Sequence, residues 1–435
     1  MQPVAIGLLG LGTVGAEVAR RIEDRQGAFA RRVGRAVVVR RVAVRDPRKP
    51  RDVPIARDRF ASDPIRVATD PETSVVVELM GGIEPARTAV LAALDAGKDV
   101  VTANKALLAE HGAEIFAAAR RAGRAVAFEG AVGGGIPIIN AIGVGLAANR
   151  FSSLAAILNG TCNFILSSMA RSGLSYDEAL RQAQGLGYAE ADPTLDVDGT
   201  DTSHKLAILA QLAFGASVTT DMIPRQGIDT LQASDIQYAA ELGYTVKLLA
   251  VARDHGAAGL ELRVAPRLVR RGSPLAEVSG PDNAIRTLGD PVGSSLMSGP
   301  GAGAGPTASA VLADLIDVIT GRAALTARSL DLWPADAPAP RLCSPRDVRG
   351  RSYLRFMIAD RPGVLGTIAQ ILGQHGVSIA SVIQHDPGED DHPDAPVPLV
   401  IMTHPAAEAD LVAALQAIDL LPIVVPPSVR LGVED

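Results

Sequence analysis

Residues 4–15 read Val-Ala-Ile-Gly-Leu-Leu-Gly-Leu-Gly-Thr-Val-Gly. The apolar run over 4–9 is typical of a strand that is buried on both faces of a parallel sheet. A G-x-G-x-x-G pattern follows at Gly10, Gly12 and Gly15, and a helical pattern begins near Val14. This order of strand, glycine loop and helix predicts a dinucleotide-binding motif.

Each glycine of this loop has its own physical reason. Gly10 permits the tight turn, Gly12 lets the backbone approach a pyrophosphate, and Gly15 lets the helix and the strand pack closely. The free N–H groups of the helix N-terminus, where Thr13 and Val14 lie, are expected to hold the anion. A nicotinamide dinucleotide is the expected ligand.

Charged residues end the second predicted strand, over 36–45, in the run Val-Arg-Asp-Pro-Arg-Lys at 44–49. An acid at such a strand end binds the ribose of NAD, whereas an arginine accepts the 2′-phosphate of NADP. Both residue types are present. Arg45, with Arg48 and Lys49, favours NADP, and NAD through Asp46 is the alternative.

The rest of this part alternates between strands and helices. Strands are predicted at 75–79, 99–102 and 125–128, and helices at 85–96 and 106–121. Such alternation indicates parallel βαβ units. Residues 1–135 are therefore predicted to form a Rossmann-like dinucleotide-binding domain, completed by a helix at 306–320.

The pattern changes at the breaker cluster Gly-Gly-Gly-Ile-Pro over 133–137. Residues 136–305 are predicted to be an α+β catalytic and dimerisation domain, with strands at 151–158, 244–252 and 260–268, helices at 162–170, 176–184 and 202–214, and an acidic loop at 187–199. A Pro-rich linker is predicted at 333–350. Beyond it, a β-α-β…β-α-β order over 351–435 predicts a ferredoxin-like domain, so the fold class is α/β.

Composition excludes several classes of protein. The net charge of −6 over 435 residues lacks the basic face that a nucleic-acid partner requires. Two cysteines, Cys162 and Cys343, do not make a disulfide scaffold. No apolar run is long enough to span a membrane, and no signal peptide is evident. We expect a soluble cytoplasmic protein with neither nucleic-acid nor membrane partners.

The run Asp-Thr-Ser-His-Lys at 201–205 is the strongest candidate for catalysis. Asp201 and Lys205 are four residues apart and so share one helix face. An apolar segment follows, so burial would lower the pKa of Lys205 while Asp201 would raise it. Such a lysine could transfer a hydroxyl proton during hydride transfer. The alternative is a surface ion pair.

The acidic loop before this helix could bind an ammonium group. A calcium site is the alternative, but the spacing of the acids does not fit an EF-hand loop. Zinc is not favoured, because the histidines show neither an H-E-x-x-H pattern nor a paired spacing.

With these motifs in place, the chain resembles the homoserine dehydrogenases. The matching stretches follow the family's order over 10–15, 102–105, 128–137, 159–166, 185–193, 201–206 and 299–305. The resemblance implies NAD(P)-dependent interconversion of L-aspartate 4-semialdehyde and L-homoserine, in threonine, methionine and isoleucine biosynthesis. The substrate is expected to bind between domains.

The resemblance also implies roles for individual residues. Lys205 matches the catalytic lysine, and Asp201 matches the acid beside it. Gly187 and Glu190 match the substrate-binding loop, in which Glu190 takes the amino group. Lys105 matches a lysine near both cofactor and substrate.

Two further sets of residues are implied. Gly301 and Gly303 lie in a loop that returns to the nicotinamide side. A sodium site built from one carboxylate and backbone carbonyls is implied for Glu129, Val132, Gly134 and Ile136. The alternative for this second set is a glycine hinge between domains.

Two positions depart from the family pattern, since the family often has Thr at Cys162 and Tyr at Phe164. Cys162 raises a rival function, that of a nucleophile in an acylating semialdehyde dehydrogenase. That chemistry needs a nearby base, and no local motif supplies one.

The C-terminal domain resembles an ACT module, with its ligand loop at residues 360–365, Asp-Arg-Pro-Gly-Val-Leu. Gly363 would let the backbone approach a small amino acid whose carboxylate meets the helix N-terminus. The resemblance implies feedback regulation by an amino acid, L-threonine, and assembly into a homodimer or homotetramer. The alternative is a domain that only assembles subunits. A flexible hairpin tip is expected at 386–398.

Overall fold

The computed structural model of the chain describes residues 2–24, 26–330, 332–334, 340–385 and 395–434. Most of the hairpin tip expected at 386–398, and the middle of the predicted linker, lie outside the described residues. In chain order the strands are β1 (Val4–Leu9), β2 (Val37–Ala43), β3 (Phe60–Ala61), β4 (Val75–Glu78), β5 (Asp99–Thr102), β6 (Val126–Ala127), β7 (Arg150–Ile157), β8 (Tyr244–Asp254), β9 (Leu260–Arg270), β10 (Asp282–Asp290), β11 (Gly293–Pro300), β12 (Arg349–Gly350), β13 (Ser352–Ile358), β14 (Ile379–Ile383), β15 (Val397–Thr403), β16 (Ala406–Ala407) and β17 (Val424–Glu434).

The α-helices, again in chain order, are α1 (Thr13–Asp24), α2 (Gln26–Val33), α3 (Pro64–Ala68), α4 (Ala86–Asp95), α5 (Lys105–Ala122), α6 (Ile138–Asn140), α7 (Gly160–Ser172), α8 (Tyr176–Gly185), α9 (Thr194–Val197), α10 (Thr200–Phe214), α11 (Ala233–Glu241), α12 (Ala304–Thr320), α13 (Arg322–Leu330), α14 (Val364–Gln374) and α15 (Glu408–Asp419). The helices predicted at 85–96, 106–121, 162–170, 176–184, 202–214 and 306–320 lie within two residues of those bounds, whereas α2, α3, α6, α9, α11 and α13 were not predicted. The prediction of an acidic loop at 187–199 was wrong in one detail, because this segment contains the short helix α9.

The chain forms two compact units. Residues 1–160, 200–224 and 281–340 form the first, and residues 161–199, 225–280 and 341–435 form the second. The domain boundaries expected from the sequence divide the chain elsewhere and stay predictions.

In the first unit a parallel sheet has the strand order β3-β2-β1-β4-β5-β6. The predicted Rossmann-like fold is therefore confirmed, with its topological switch between β1 and β4. Ile6 and Leu8 of β1 are fully buried. Helix α12 packs into the same core through side chains that include Val311 and Leu315, as its Ala- and Leu-rich face requires.

The first unit also contains an antiparallel set in which β10 pairs with both β7 and β11. Neither β10 nor β11 was predicted from the sequence. Strand β11 reads Gly-Ser-Ser-Leu-Met-Ser-Gly-Pro, and its residues alternate between half-buried and exposed. Such a composition has low strand propensity, so its pairing with β10 decides its structure.

The described ends of the predicted linker are packed. Trp333 is 5% exposed, and its ring stacks on Phe116 with centroids 4.8 Å apart. A Cβ at Gly112 would lie 2.8 Å from the Trp333 ring, so only glycine fits beneath it. In the second unit, Leu260 and Cys343 donate backbone hydrogen bonds across the pair Leu260–Leu342.

In the second unit the described strands run β8-β9-β17-β13-β15-β14. The last four have ferredoxin-like order, which confirms the predicted C-terminal fold. The fold is not freestanding, however, because β17 extends to Glu434 and its last residues pair in parallel with β9.

A buried charge cluster reinforces that junction. Asp235 of α11 is fully buried and accepts hydrogen bonds from Arg355 Nε at 2.6 Å and from the Tyr353 hydroxyl at 3.0 Å. A buried ion pair requires good geometry to offset desolvation, so these contacts fix α11 against β13.

Candidate active site

The glycine loop of the first unit lies at the carboxyl end of β1, where α1 begins. Gly10 has φ +95°, and a Cβ there would lie 2.6 Å from the Leu79 carbonyl oxygen. A Cβ at Gly15 would overlap the Gly10 carbonyl, whereas one at Gly12 would meet nothing within 4 Å. Gly10 and Gly15 are therefore required by packing, and Gly12 leaves an open cradle over the helix N-terminus.

A groove of about 420 Å³ extends from this loop. Its lining includes Gly10, Gly12, Arg45, Asp46 and Lys49, as the sequence led us to expect. Arg48 is not part of the lining, but its backbone N–H donates to Asp46 Oδ1 at 2.9 Å and its Nε lies 3.8 Å from the same oxygen. Because that bond engages the Asp46 carboxylate, the basic side chains dominate this end of the groove.

Arg51 also lines the groove, and sequence reasoning missed it. Its guanidinium donates to the Asp46 and Lys49 carbonyls, both at 2.9 Å. The only sequence signal was its place two residues after Lys49, outside the expected strand end.

A buried hydrogen-bond network fixes the groove's other wall. The Glu78 carboxylate accepts from the Thr102 hydroxyl at 2.6 Å and from the Met80 N–H at 2.7 Å. Asn104 caps α5 and donates to the Gly82 carbonyl at 2.7 Å. Burial raises the pKa of Glu78, although these donors oppose the shift. The network thus holds the 80–82 loop beside Lys105, the first residue of α5.

Asp201 is the centre of a second buried cluster. Its Oδ1 lies 2.8 Å from Lys105 Nζ, and its Oδ2 lies 2.6 Å from Lys205 Nζ. Asn159 also donates to Oδ2, at 3.0 Å. Lys205 Nζ donates further to the Leu158 carbonyl at 2.6 Å. The structure thus brings together Lys105 from α5, Asp201 and Lys205 from α10, and the end of β7.

The charges of this cluster are set by its burial. The side chains of Asp201 and Lys205 are 8% and 10% exposed, but that of Lys105 is 41% exposed. Burial alone would raise the pKa of Asp201, but the ammonium groups of Lys205 and Lys105 hold it well below the usual carboxyl range. Asp201 is therefore a permanent anion between two cations. Asp201 and Lys205 therefore do not form the surface ion pair that was the alternative interpretation of the sequence.

The glycine-rich segment around residue 133 forms a tight junction in the first unit. A Cβ at Gly134 would overlap the Gly301 carbonyl, and one at Gly301 would overlap the Asn283 side chain. Gly303 has φ +110° and precedes α12. Gly301 is thus required by its close contact with the Asn283 side chain, and Gly303 by its positive φ before α12.

Glu129, in this junction, has a carboxylate that is already well bonded. It accepts from the backbone N–H groups of Ile139 and Asn140 and from the Asn140 amide, at 2.7–2.9 Å. The Ile136 carbonyl accepts from the Ile138 N–H at 2.8 Å. Two carboxylate oxygens offer about four acceptor positions, so one position remains compatible with a cation.

A second carboxylate, that of Asp314 in α12, is hydrogen-bonded to the backbone of Glu129. Its Oδ2 accepts the Glu129 N–H at 2.8 Å, and its side chain is buried. Burial, and then the charge of Glu129, raises the pKa of Asp314 well above its usual value. Burial also raises the pKa of Glu129. The Glu129 and Asp314 carboxyls thus lie in a buried place where a cation would stabilise their ionised forms.

In the second unit, the predicted substrate loop is held by α7. Thr161 donates to the Tyr188 carbonyl at 2.6 Å, and the Phe164 and Tyr188 rings lie 4.9 Å apart. Gly187 has φ +77°, and Glu190 is exposed with its carbonyl bonded to Gln184. Thr161 and Phe164 thus anchor the loop that carries Gly187 and Glu190.

Cys162 is also part of this anchor. It is fully buried, and its Sγ donates to the Asp196 carbonyl at 3.3 Å. The Cys162 thiol thus packs against the loop. This geometry does not support the rival function, in which Cys162 is the nucleophile of a semialdehyde dehydrogenase.

Lys247 of β8 was missed in the sequence because it lies inside an apolar strand pattern. It is 2% exposed and donates to the Asn163 side chain at 3.0 Å and to the Val278 carbonyl. Burial lowers the pKa of Lys247 to about 8. It joins α7 to the 278–280 segment.

The expected effector loop lies in the ferredoxin-like part of the second unit. Residues 360–363 are exposed, and Gly363 has φ +92° immediately before α14. Asp360 accepts a hydrogen bond from Gln384 at 3.1 Å. The loop thus presents backbone groups next to a helix N-terminus.

The described ranges of the chain lack the features of two other classes of site. No helix there has both the length and the apolar character needed to cross a bilayer. In those same ranges, no three His, Cys, Asp or Glu side chains are grouped so as to hold a metal ion. A site built from one carboxylate and carbonyls is of a different kind.

Family models match most of the chain. One described as homoserine dehydrogenase matches residues 137–316, one described as homoserine dehydrogenase, NAD binding domain, matches 10–129, and one described as ACT domain matches 352–419.

Known relatives cover the whole chain. The homoserine dehydrogenase of Pseudomonas aeruginosa is 45% identical over 100% of this chain and 99% of its own, and that of Bacillus subtilis is 37% identical over 98% and 96%. The crystal structure of a Thiobacillus denitrificans homoserine dehydrogenase is similar with a TM-score of 0.90 and 42% identity, covering 100% and 99%. A hyperthermophilic archaeal homoserine dehydrogenase in complex with NADPH is similar over 73% of this chain, with a TM-score of 0.62 and 26% identity.

Replacing Gly12 by alanine tests the cradle of the glycine loop. We expect Gly12→Ala to weaken NADPH binding about tenfold, because the methyl group occupies the approach of the pyrophosphate and costs charge-assisted hydrogen bonds. The melting temperature should stay unchanged, because the Cβ meets no protein atom. Fluorescence titration with NADPH measures the affinity. Gly366→Ala, in an equally open position of α14, is the control and should bind NADPH normally.

Replacing Asp314 by asparagine tests the buried carboxylate pair. A carboxyl whose folded-state pKa is raised destabilises the folded protein increasingly as the pH rises above the usual carboxyl range. We therefore expect Asp314→Asn to be more stable than the wild type by about 1 kcal/mol or more at pH 8, and to lose that advantage near pH 4. Urea denaturation at both pH values measures this, in sodium-free buffer so that no cation offsets the two carboxylates. The exposed Asp95→Asn is the control, and a pH-independent effect of Asp314→Asn would contradict the expectation.

Proposed function

The chain belongs to the homoserine dehydrogenase family, and on that premise we propose that it reversibly reduces L-aspartate 4-semialdehyde to L-homoserine with NADPH. This reaction serves threonine, methionine and isoleucine biosynthesis. The observation that carries the proposal is the buried cluster of Lys205, Asp201 and Lys105. A charged ammonium that is held rigidly at a fixed place is what protonation of an alkoxide requires.

The proposed chemistry divides between cofactor and protein. Bound NADPH supplies a hydride to the aldehyde carbon. Lys205 donates the proton that the carbonyl oxygen acquires, and it takes that proton back in the reverse direction. Asp201 keeps the Lys205 ammonium charged and oriented through the 2.6 Å contact. Lys105, the more exposed of the two lysines, offers a second positive charge to the developing oxyanion.

Substrate recognition is proposed to use the loop of the second unit. The Glu190 carboxylate takes the substrate's ammonium group, and the Gly187 backbone lies beside it. Support comes from the anchoring of this loop by Thr161 and Phe164, which limits the entropy lost when a ligand is bound.

The cofactor is proposed to be NADP, with the pyrophosphate at Gly10, Gly12, Thr13, Val14 and Gly15. Arg45 and Lys49 line the groove with the newly identified Arg51, and arginine suits a phosphate through paired hydrogen bonds. Lys105, Gly301 and Gly303 complete the proposed contacts. NAD remains the alternative, through Asp46.

A sodium ion is proposed at Glu129, with carbonyls of Val132, Gly134 and Ile136. The raised pKa values of the buried Glu129 and Asp314 carboxyls support this, since a cation would offset their mutual repulsion. Its contribution would be to stabilise the glycine junction that positions the start of α12.

Regulation is proposed to act through the ACT domain, with L-threonine as effector and a homodimer or homotetramer as the assembly. The exposed loop at Gly363 and the following helix α14 support a site for an amino-acid carboxylate.

The catalytic role of Lys205 is tested with a pair of variants. We expect Lys205→Ala to lower kcat for oxidation of L-homoserine with NADP+ by about 10²–10⁴-fold, the usual loss when an acid–base group is removed. We expect Lys205→Arg to lose turnover similarly, because a guanidinium keeps the charge next to Asp201 but does not release a proton. Stopped assays of NADPH formation measure both, and NADPH titration should give near wild-type affinities.

The same assay tests the substrate. The wild type should oxidise L-homoserine and leave L-aspartate and L-alanine unchanged. Turnover of Lys205→Arg close to the wild-type rate would remove proton transfer from the role of this residue.

The effector is tested by inhibition kinetics. We expect L-threonine to inhibit the wild type and Gly363→Val to abolish inhibition, because a β-branched residue disfavours φ near +90° and blocks the loop. Activity without threonine should be unchanged. Gly373→Ala, an open position at the other end of α14, is the control and should keep its inhibition. Inhibition of Gly363→Val at the wild-type threonine concentration would argue for a domain that only assembles subunits.

A further inference from the structure

A solvent-open cavity of about 50 Å³ in the second unit is lined by arginine side chains, and we refer to it as the arginine cavity. Its walls come from the β8–β9 hairpin and from the ferredoxin-like part with the segment before it. The arginines that line it are Arg253, Arg263, Arg267, Arg349, Arg351 and Arg430.

The acids of the cavity are shared between several cations. Glu434 lies 2.5 Å from an Arg253 nitrogen and 3.3 Å from Arg267 Nε. Glu408 pairs with both Arg263 and Arg430. Glu261 lies 3.5 Å from Arg253 and 3.0 Å from His255. Four of the six guanidinium groups thus share three carboxylates by ion pairing. The described lining of the cavity has six arginines and two glutamates, Glu261 and Glu408, so positive charge is in excess there.

Arg267 is a buried arginine of this cavity with a donor that is not hydrogen-bonded. It is 8% exposed, and its Nη2 donates to the Val433 carbonyl at 2.9 Å. Its buried Nε makes no hydrogen bond, despite the nearby Glu434 oxygen. Burial, and then repulsion from Arg253, lowers the pKa of Arg267 although Glu434 opposes this. A buried donor without an acceptor is costly, so the cavity favours an additional acceptor.

We propose that the arginine cavity binds one small oxyanion, a carboxylate or phosphate group of a metabolite. Guanidinium groups bind both kinds of group through paired, charge-assisted hydrogen bonds. The volume holds a few water molecules, which is the size of one such group and too small for a nucleotide. The anion also contacts both walls, and so it stabilises the attachment of β17 and β12 to the β8–β9 hairpin.

The site is distinct from those discussed above. The effector loop at 360–365 and the dinucleotide groove share no residue with the cavity lining. Anion binding in the arginine cavity can therefore be tested whichever cofactor the enzyme uses and whether or not threonine inhibits it.

Calorimetric titration of the full-length protein with orthophosphate, and separately with malonate, tests the proposal. Saturating NADP+ fills the dinucleotide loop, and sodium chloride keeps the ionic strength constant. We expect at least one of the anions to bind with one site per chain, and to raise Tm by about 3 °C at ten times its Kd. Binding of malonate alone identifies a carboxylate ligand, and binding of phosphate alone identifies a phosphate ligand.

Two substitutions locate the site. Arg349→Gln, an exposed residue of the lining, should weaken the anion about tenfold without changing Tm in its absence, since one charged contact is lost. Arg267→Gln should weaken it further, and Arg349→Gln decides the matter if Arg267→Gln does not fold. Arg346→Gln, exposed and outside the lining, is the matched control. Failure of both anions to bind, or wild-type affinity in Arg349→Gln, would overturn the proposal.

Discussion

The buried carboxylate of Asp201, held between the ammonium groups of Lys105 and Lys205, is the interaction on which the candidate active site depends. The buried Lys205 ammonium could not keep its charge there without an anion, because desolvation and the positive charge of the partly exposed Lys105 both act against it. The contact also joins α5, which leads away from the dinucleotide sheet, to α10. The Asp201 carboxylate therefore fixes both the charge and the position of the two lysine ammonium groups.

In the dinucleotide groove, a buried hydrogen-bond network fixes the geometry in a similar way. Glu78, Thr102 and Asn104 form hydrogen bonds that hold the 80–82 loop and cap α5. Every member of this network has a partner, as a buried polar network requires. The residue that follows the cap is Lys105, so the geometry of the groove and that of the Asp201 cluster originate at the same helix end.

The second unit distributes its charges differently. Asp235 is matched by Arg355 and Tyr353, and this complete pairing gives α11 a unique position on β13. The arginine cavity is the opposite case, because its carboxylates are shared and Arg267 Nε lacks a hydrogen bond. A satisfied buried cluster stabilises structure, whereas an unsatisfied one at a cavity can bind a ligand.

The sequence alone determined the Rossmann-like sheet and the ferredoxin-like order, because buried strands, glycine turns and helix periodicity are local signals. It also marked Asp201 and Lys205, which lie one helical turn apart. It did not reveal β10 and β11, whose strand structure comes from pairing, nor Arg51, Lys247 and the arginine cavity. Only the tertiary structure decided these, because burial and charge neutralisation depend on side chains that are distant in the chain, and no local pattern records which of them meet.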